Sequence, residues 1–102
     1  MKLLERKMNT VILMSTYNGD KYLREQLDSL IALDDRPDIL IRDDGSSDGT
    51  IDIFKLYQSR FDNIKLLEGD NIGVVASFFE LMKSVDFNEY NYFAFCDQDD
   101  FW

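Results

Sequence analysis

Short apolar runs alternate along the chain with segments in which apolar residues recur every three or four positions. The runs are typical of buried strands, and the periodic segments are typical of helices with one buried face. Residues 10–15, 39–41, 64–67 and 92–95 are the predicted strands. Strands that alternate with helices favour parallel βαβ units, so the pattern predicts an α/β fold with about four parallel strands and three helices.

Each predicted helix has an apolar face, and each begins after a polar turn. Ser46, Ser47 and Asp48 are candidate N-caps of the second helix, and Pro37 separates the first helix from the second strand. The helix faces expected to enter the core are Leu23, Leu27, Leu30 and Ile31 in the first helix, Ile51, Phe54, Tyr57 and Phe61 in the second, and Val75, Phe78, Phe79, Met82 and Val85 in the third.

Length and charge narrow the class of protein. The chain has 102 residues, 45% of them hydrophobic, and carries a net charge of −9. This size and composition predict one small domain over residues 9–102, preceded by a disordered leader at residues 1–8. The negative charge argues against nucleic-acid partners. The sequence has no apolar run long enough to be a transmembrane segment, and we expect a cytoplasmic protein.

The residue types that are missing restrict the chemistry. The chain has no histidine and a single cysteine, Cys96, which we interpret as a small core residue in a reducing compartment. These counts exclude a Ser-His triad, a zinc site with histidine ligands and a thiolate metal site. A cation bound only by oxygen ligands remains, and this ligation suits Mg²⁺ or Mn²⁺.

Three predicted strands end in polar residues. The first is followed by Ser15, Thr16 and Tyr17, and the second by Asp43 and Asp44; the fourth runs into Asp97-Gln98-Asp99-Asp100. Ligands of open parallel sheets bind beyond the carboxyl ends of the strands. If strands two, one and four are neighbours, these motifs share one site, and Asp97 and Asp99 are its candidate metal ligands.

Three other interpretations are weaker. Asp44, Ser46, Asp48 and Gly49 are spaced as in a helix-loop-helix calcium loop, but Lys55 stands where that loop needs a bidentate glutamate. A phosphoacceptor receiver-like module needs acidic residues after the first strand, and this chain has none there. A catalytically inert α/β fragment or interaction module is the alternative that the sequence leaves open.

The motifs together resemble a known family. Residues 11–18 (VILMSTYN), 43–50 (DDGSSDGT), 71–73 (NIG) and 97–102 (DQDDFW) are similar in order and spacing to the nucleotide-sugar-binding N-terminal part of a family 2 glycosyltransferase with the Rossmann-like GT-A fold. The Ser77-Phe78 pair and the final motif resemble the rhamnosyltransferase-like branch, which acts in cell-surface polysaccharide synthesis. The resemblance covers nearly all of residues 9–102.

The resemblance implies roles for the strand-end residues. Ser15, Thr16 and Tyr17 are expected to border the nucleoside, Asp44 to bond the pyrimidine edge, and Asp43 to support it. Asp97-x-Asp99 corresponds to the DXD motif, in which Asp99 binds Mg²⁺ or Mn²⁺ and Asp97 contacts ribose or metal. The implied donor is a UDP- or dTDP-linked sugar.

The resemblance also implies a second half of the domain. The general base of an inverting transferase is expected beyond residue 102, so we expect a truncated chain without turnover of its own. The fourth strand is then expected to be an apolar edge through which the chain self-associates. In the full-length protein, the inner face of the membrane is an expected peripheral location.

Overall fold

The computed structural model describes residues 9–34 and 36–97, with Asp97 described by its backbone alone. Strands and α-helices alternate strictly, which confirms the predicted α/β class. The predicted leader, residues 1–8, lies outside the described residues. The elements are β1 (Thr10–Thr16), α1 (Asp20–Ile31), β2 (Asp38–Asp44), α2 (Thr50–Arg60), β3 (Ile64–Gly69), α3 (Val74–Ser84), a short 3-10 helix (Phe87–Glu89) and β4 (Tyr92–Asp97).

The four strands form one parallel sheet in the order β3-β2-β1-β4. The chain moves outward from β1 to β2 and β3, and then crosses back to place β4 on the other side of β1. The order therefore reverses at β1. In doubly wound sheets this reversal opens a crevice at the carboxyl ends of the strands, because the connections on its two sides lead to opposite faces.

Helices α1 and α2 cover one face of the sheet. The predicted face of α1 is confirmed, since Leu23, Leu27 and Leu30 are buried and Ile31 packs at the margin of the same core cluster. Cys96 is buried in this cluster, as predicted, and its sulfur accepts a hydrogen bond from Gln26 Nε2 at 3.1 Å. This is the larger of the two apolar clusters in the described chain.

Helix α2 packs with a slightly different face from the predicted one. Phe54 and Tyr57 are buried as expected, but Ile53 is buried as well, whereas Ile51 and Phe61 are only partly buried. The Tyr57 hydroxyl donates to Asp28 Oδ1 at 2.6 Å and links α2 to α1. Burial and the neighbouring carboxylate together raise the pKa of Tyr57 to about 12.

Helix α3 lies alone on the other face, and its predicted core face is confirmed only in part. Ser77 and Leu81 are the buried residues of α3, while Val75 and Phe79 are 65% and 55% exposed. The remaining predicted residues, Phe78, Met82 and Val85, are partly buried and pack against the core cluster on this face. A single helix covers only a narrow strip of the sheet, so Val75 and Phe79 are left exposed.

Strand β2 is longer than predicted, and its length matters for the site. It continues through Arg42, Asp43 and Asp44, so both carboxylates belong to the strand instead of the loop after it. Helix α2 begins at Thr50 after Gly49. Of the three predicted caps, only Asp48 accepts the backbone N–H of Thr50, at 3.0 Å.

None of the helices in the described part of the chain is long and apolar enough to cross a membrane.

Candidate functional site

The carboxyl ends of β2, β1 and β4 lie side by side, as the predicted site requires. In the sheet register Thr16 pairs with Asp43 across to β2, and Ser15 pairs with Asp97 across to β4. Adjacent strands are about 4.8 Å apart, so these positions fall within about 10 Å of one another. The topology thus brings Ser15, Thr16, Asp43, Asp44 and the backbone of Asp97 to one edge. The side chain of Asp97 and all of Asp99 lie outside the described part.

Asp43 organises the turn that follows β2. Its side chain is buried; Oδ1 accepts the Thr16 hydroxyl at 3.0 Å and the Ser46 hydroxyl at 2.6 Å, and Oδ2 accepts the Ser46 N–H at 2.7 Å. A carboxylate that bonds the backbone three residues ahead fixes the path of the chain. Asp43 and Thr16 therefore hold the end of β1 and the turn after β2 together at the crevice.

The loops after β1 and β2 are joined to each other. Asn18, in a left-handed conformation with φ of 48°, accepts the Ser47 N–H at 2.8 Å through its side chain and donates its own N–H to the Ser46 hydroxyl at 2.8 Å. Asparagine tolerates this backbone conformation better than most residues. Tyr17, the residue before Asn18, is 45% exposed. The joined loops therefore carry an exposed aromatic side chain next to a backbone position that hydrogen bonds fix.

A second pair of contacts closes the outer part of the same junction. Asp20 Oδ2 accepts the Gly49 N–H at 3.1 Å, and Asp48 Oδ2 accepts the Asp20 N–H at 3.2 Å. Burial raises the pKa of Asp48, but its bonds from Thr50 and Asp20 outweigh burial and lower that pKa below 3.8. Asp48 is thus used by the chain itself, which argues further against the calcium loop.

Asp44 lies at the end of β2 on the face that carries α3. Its side chain is only 5% exposed. Oδ1 accepts the Ile72 N–H at 2.8 Å and Arg42 Nη1 at 2.8 Å, and Oδ2 accepts the Gly73 N–H at 3.0 Å. Burial alone raises the pKa of a carboxyl, but the bonds from Ile72, Arg42 and Gly73 outweigh it and lower the pKa of Asp44 below 3.8.

Arg42 and Ser77, for which no role in the site was predicted, form a buried polar network beneath Asp44. Arg42 Nη1 donates to the Ser77 hydroxyl at 3.1 Å, and the Ser15 hydroxyl donates to Ser77 at 2.6 Å. Residues two apart on a strand point to the same face, so the Arg42-x-Asp44 spacing was a signal for this pair. The Ser15 hydroxyl is used in this network, and its predicted contact with a nucleoside stays a prediction.

The carboxylates in the described part do not by themselves form a metal site. Asp43 and Asp44 accept bonds from the chain, and no group of three or more acidic, histidine or cysteine side chains among the described residues could hold a metal ion. Of the predicted ligands, Asp97 ends β4 at the position paired with Ser15, and Asp99 lies outside the described residues. Three carboxylates within residues 97–100 are a hard oxygen donor set, which fits Mg²⁺ or Mn²⁺.

Comparison with known proteins gives a family. Residues 11–102 match the profile described as glycosyl transferase family 2. The chain is 40% identical over 93 residues to the dTDP-rhamnosyl transferase RfbG of Shigella flexneri, a match that covers 87% of this chain and 32% of that protein. The family resemblance stated from the motifs is therefore confirmed.

Solved structures share the fold. The S. aureus TarS 1–349 structure in complex with UDP is 28% identical with a TM-score of 0.75, covering 92% of this chain and 28% of that chain. A mannosyltransferase from Pyrobaculum calidifontis is 18% identical with a TM-score of 0.82, covering 95% of this chain and 29% of that one, and shows the fold alone. The chain thus spans about a third of the length of the relatives it matches.

Proposed function

The chain belongs to glycosyl transferase family 2, and on this premise we propose that the crevice at the ends of β1, β2 and β4 binds the nucleotide of an activated sugar donor. The observation that carries the proposal is the convergence of Thr16, Asp43 and Asp44 at the switch point of the sheet. The TarS structure that shares the fold contains UDP, which supports a nucleoside diphosphate as the ligand class.

The nucleoside is assigned to the space between Tyr17 and Asp44. The exposed ring of Tyr17 can stack on a base, as aromatic side chains commonly do. A carboxylate has about four acceptor positions, and bonds from the chain use three of those on Asp44. One position, on Oδ2, is left for an N–H of the base edge. Ser15 and Thr16 support this part of the site from below, because the Ser15 hydroxyl bonds Ser77 and the Thr16 hydroxyl bonds Asp43.

The diphosphate is assigned to the end of β4, where Asp97 and Asp99 would hold Mg²⁺ or Mn²⁺. A divalent cation there offsets the charge that develops on the diphosphate as the sugar bond breaks. The protein's part is to supply the oxygen ligands and to fix them next to the residues assigned to the nucleoside. Ser15 pairs with Asp97 in the sheet register. Asp97 therefore has a buried, hydrogen-bonded neighbour in β1.

We propose the finer identity of the reaction from a named relative. The 40% identity to a dTDP-rhamnosyl transferase favours a dTDP- or UDP-linked donor and a rhamnosyl- or other hexosyl-transfer reaction in cell-surface polysaccharide synthesis. We assign the whole protein an inverting mechanism with its general base outside these residues. The site of action that we assign is the cytoplasm, with peripheral association at the inner face of the membrane.

Isothermal titration calorimetry of the chain with UDP and with dTDP, each with and without Mn²⁺, tests this function. We expect Mn²⁺ to strengthen binding by about tenfold or more, which is about 1.4 kcal/mol or more, because the cation offsets the charge of the diphosphate. Asp99→Ala is expected to abolish the Mn²⁺-dependent part and to leave the weak metal-free binding of the nucleoside in place.

The matched control for this titration is Asp62→Ala. It also removes one negative charge, but Asp62 precedes β3 at the opposite end of the sheet, and its side chain is 97% exposed. We expect wild-type binding from this variant. If neither nucleotide binds in the presence of Mn²⁺, the donor-site assignment is wrong and the inert-fragment alternative replaces it.

We also propose that the chain self-associates through β4 and the aromatic residues beside it. β4 is an edge strand of the described sheet, and Phe93 and Phe95 are 54% and 47% exposed. Phe95 makes edge contacts with Phe78 at 5.4 Å and Phe93 at 6.0 Å between ring centroids. A continuous exposed aromatic surface next to an unpaired strand edge favours pairing with another chain.

Light scattering with increasing protein concentration checks this prediction. We expect a dimer or larger species, and a shift toward the monomer in Phe95→Ser. Tyr22→Ser is the control, because Tyr22 is 50% exposed on α1, on the opposite face of the sheet. A wild-type chain that stays monomeric at millimolar concentration would contradict the proposal.

A further inference from the structure

The feature that the proposed function leaves unexplained is the buried guanidinium of Arg42. Its side chain is 9% exposed and ends between β2 and the loop of residues 70–73. Nη1 donates to Asp44 Oδ1 at 2.8 Å, and Nη2 donates to the Asp70 carbonyl at 3.1 Å. Asp44 in turn accepts the N–H groups of Ile72 and Gly73. One ion pair thus holds this loop at three backbone positions.

The chain makes room for this guanidinium. A Cβ built at Gly69 would collide with Nη2 and Cζ of Arg42, so any larger residue at the end of β3 requires the guanidinium to move from its place in the ion pair. On α3, the Ser77 hydroxyl accepts a hydrogen bond from Arg42. Leu81 is the other buried residue of this helix. Residues of β1, β2 and α3 and the backbone of the loop therefore share one polar network, and Gly69 of β3 lies beside it.

Stability alone does not account for such a pair. Removing two charges from water costs free energy that the mutual attraction often only offsets, whereas a buried pair can specify one arrangement of the groups around it. The loop of residues 70–73 needs such a device, because these four residues are exposed and Ile72 is 45% exposed. The arrangement that the pair selects includes the carboxylate assigned to the base.

We propose that Arg42 is a positioning residue for nucleobase recognition, which holds Asp44 and the loop of residues 70–73 so that the site selects a base with an N–H at its edge. The inference rests on the proposed function. Arg42 is buried below Asp44 and acts through that carboxylate. Its planar fork reaches Asp44, Ser77 and Asp70 at once, which a lysine ammonium on a flexible stem cannot do.

The chemistry of the base gives the proposal its test. An ionised carboxylate only accepts hydrogen bonds. Uracil and thymine present the N3 position as an N–H donor, whereas cytosine presents an acceptor there. A correctly held Asp44 therefore favours UDP over CDP, while a displaced Asp44 loses this preference. A general loss of folding would weaken the binding of both nucleotides alike, so the ratio of the two affinities separates positioning from structural support.

Calorimetry with UDP and CDP in the presence of Mn²⁺ measures that ratio. We expect the wild-type chain to bind UDP about tenfold more tightly than CDP, which is the range of one charge-assisted hydrogen bond. Arg42→Met should lower the UDP affinity by about tenfold and change the CDP affinity by less than about threefold. Arg42→Lys should fall between Arg42→Met and the wild type.

Two further variants keep the result interpretable. Arg60→Met removes an exposed arginine at the far end of α2 and should leave both affinities unchanged. If Arg42→Met does not fold by circular dichroism, Gly69→Ala serves instead, because its methyl group displaces the guanidinium without removing it. A lowered UDP preference in Gly69→Ala or Arg42→Lys supports the proposal.

The outcomes separate this inference from the proposed function. A wild-type chain that binds neither nucleotide overturns both. A wild-type chain that prefers UDP, together with folded Arg42 variants that keep the same preference, overturns the role of Arg42 and leaves the donor site standing. Equal weakening of UDP and CDP binding in those variants also overturns it, since that result assigns Arg42 to structural support alone.

Discussion

Replacing Asp44 with alanine is expected to lower the free energy of unfolding by about 3–5 kcal/mol, because it leaves the buried charge of Arg42 without its partner. The change also removes the acceptor of two backbone N–H groups, those of Ile72 and Gly73. Urea unfolding followed by circular dichroism measures the difference. The effect is large for a chain of this size, whose total stability is on the order of 5–10 kcal/mol.

The Arg36–Asp62 pair supplies the control. Its atoms are 3.9 Å apart and both side chains are largely exposed, so Asp62→Ala is expected to leave unfolding unchanged within measurement error. Equal losses of unfolding free energy in the two variants would show that the stabilising effect of Asp44 does not depend on the burial of the Arg42–Asp44 pair.

The same carboxylate predicts a pH dependence. The pKa of Asp44 is lower in the folded chain than its ordinary value of 3.8, so its contribution to stability is present above pH 3.8 and is lost as the pH falls through the folded pKa. Asp44→Asn removes this titration. Below about pH 4 we therefore expect a shallower acid-side loss of stability in Asp44→Asn than in the wild-type chain.

The second large effect is expected at Gly69. Gly69→Ala should lower the free energy of unfolding by about 1–3 kcal/mol, because the added methyl group overpacks the space that Arg42 fills. In an Arg42→Ala background the same change should stabilise the chain by about 0.4–1 kcal/mol, since alanine restricts the unfolded chain more than glycine does. Urea unfolding of the two single variants and the double variant measures this change of sign.

Gly49→Ala is the control for that cycle. The three atoms nearest to a Cβ added at Gly49 all belong to Asp20, the closest at 3.3 Å, and Gly49 lies outside the Arg42 network. Its effect on stability should be the same with and without Arg42. If the cost of Gly69→Ala also stays constant, Gly69 does not serve to accommodate the guanidinium.

The sheet and its crevice were predictable because they follow from local patterns. The apolar runs located the four strands, and the polar residues after three of them located the edge that we propose as the ligand site. The adjacency of β2, β1 and β4 was a condition of the prediction, and the observed order satisfies it. The roles of Asp97 and Asp99 in metal binding remain predictions, because their side chains lie outside the described residues.

The inward position of Ser77 in α3 was not predictable from periodicity, for a physical reason. Periodicity identifies an apolar stripe but not the surface that the stripe meets. The sheet presents Ser15 and Arg42 to α3, and these polar groups need Ser77 as a partner, so the helix turns Ser77 and Leu81 inward. Phe79 is left at 55% exposure. The buried polar network, which no window of sequence displays, decided the rotation of this helix.

The joined loops after β1 and β2 have a thermodynamic consequence for any ligand of the crevice. Because Asn18 is tied to Ser46 and Ser47, and Asp20 to Asp48 and Gly49, this part of the mouth becomes ordered when the chain folds. Association then immobilises little additional backbone there, and less of the contact free energy is offset by lost chain entropy. Asn18→Gly would loosen the junction. Part of the chain entropy that is now lost on folding would then be lost on ligand binding instead.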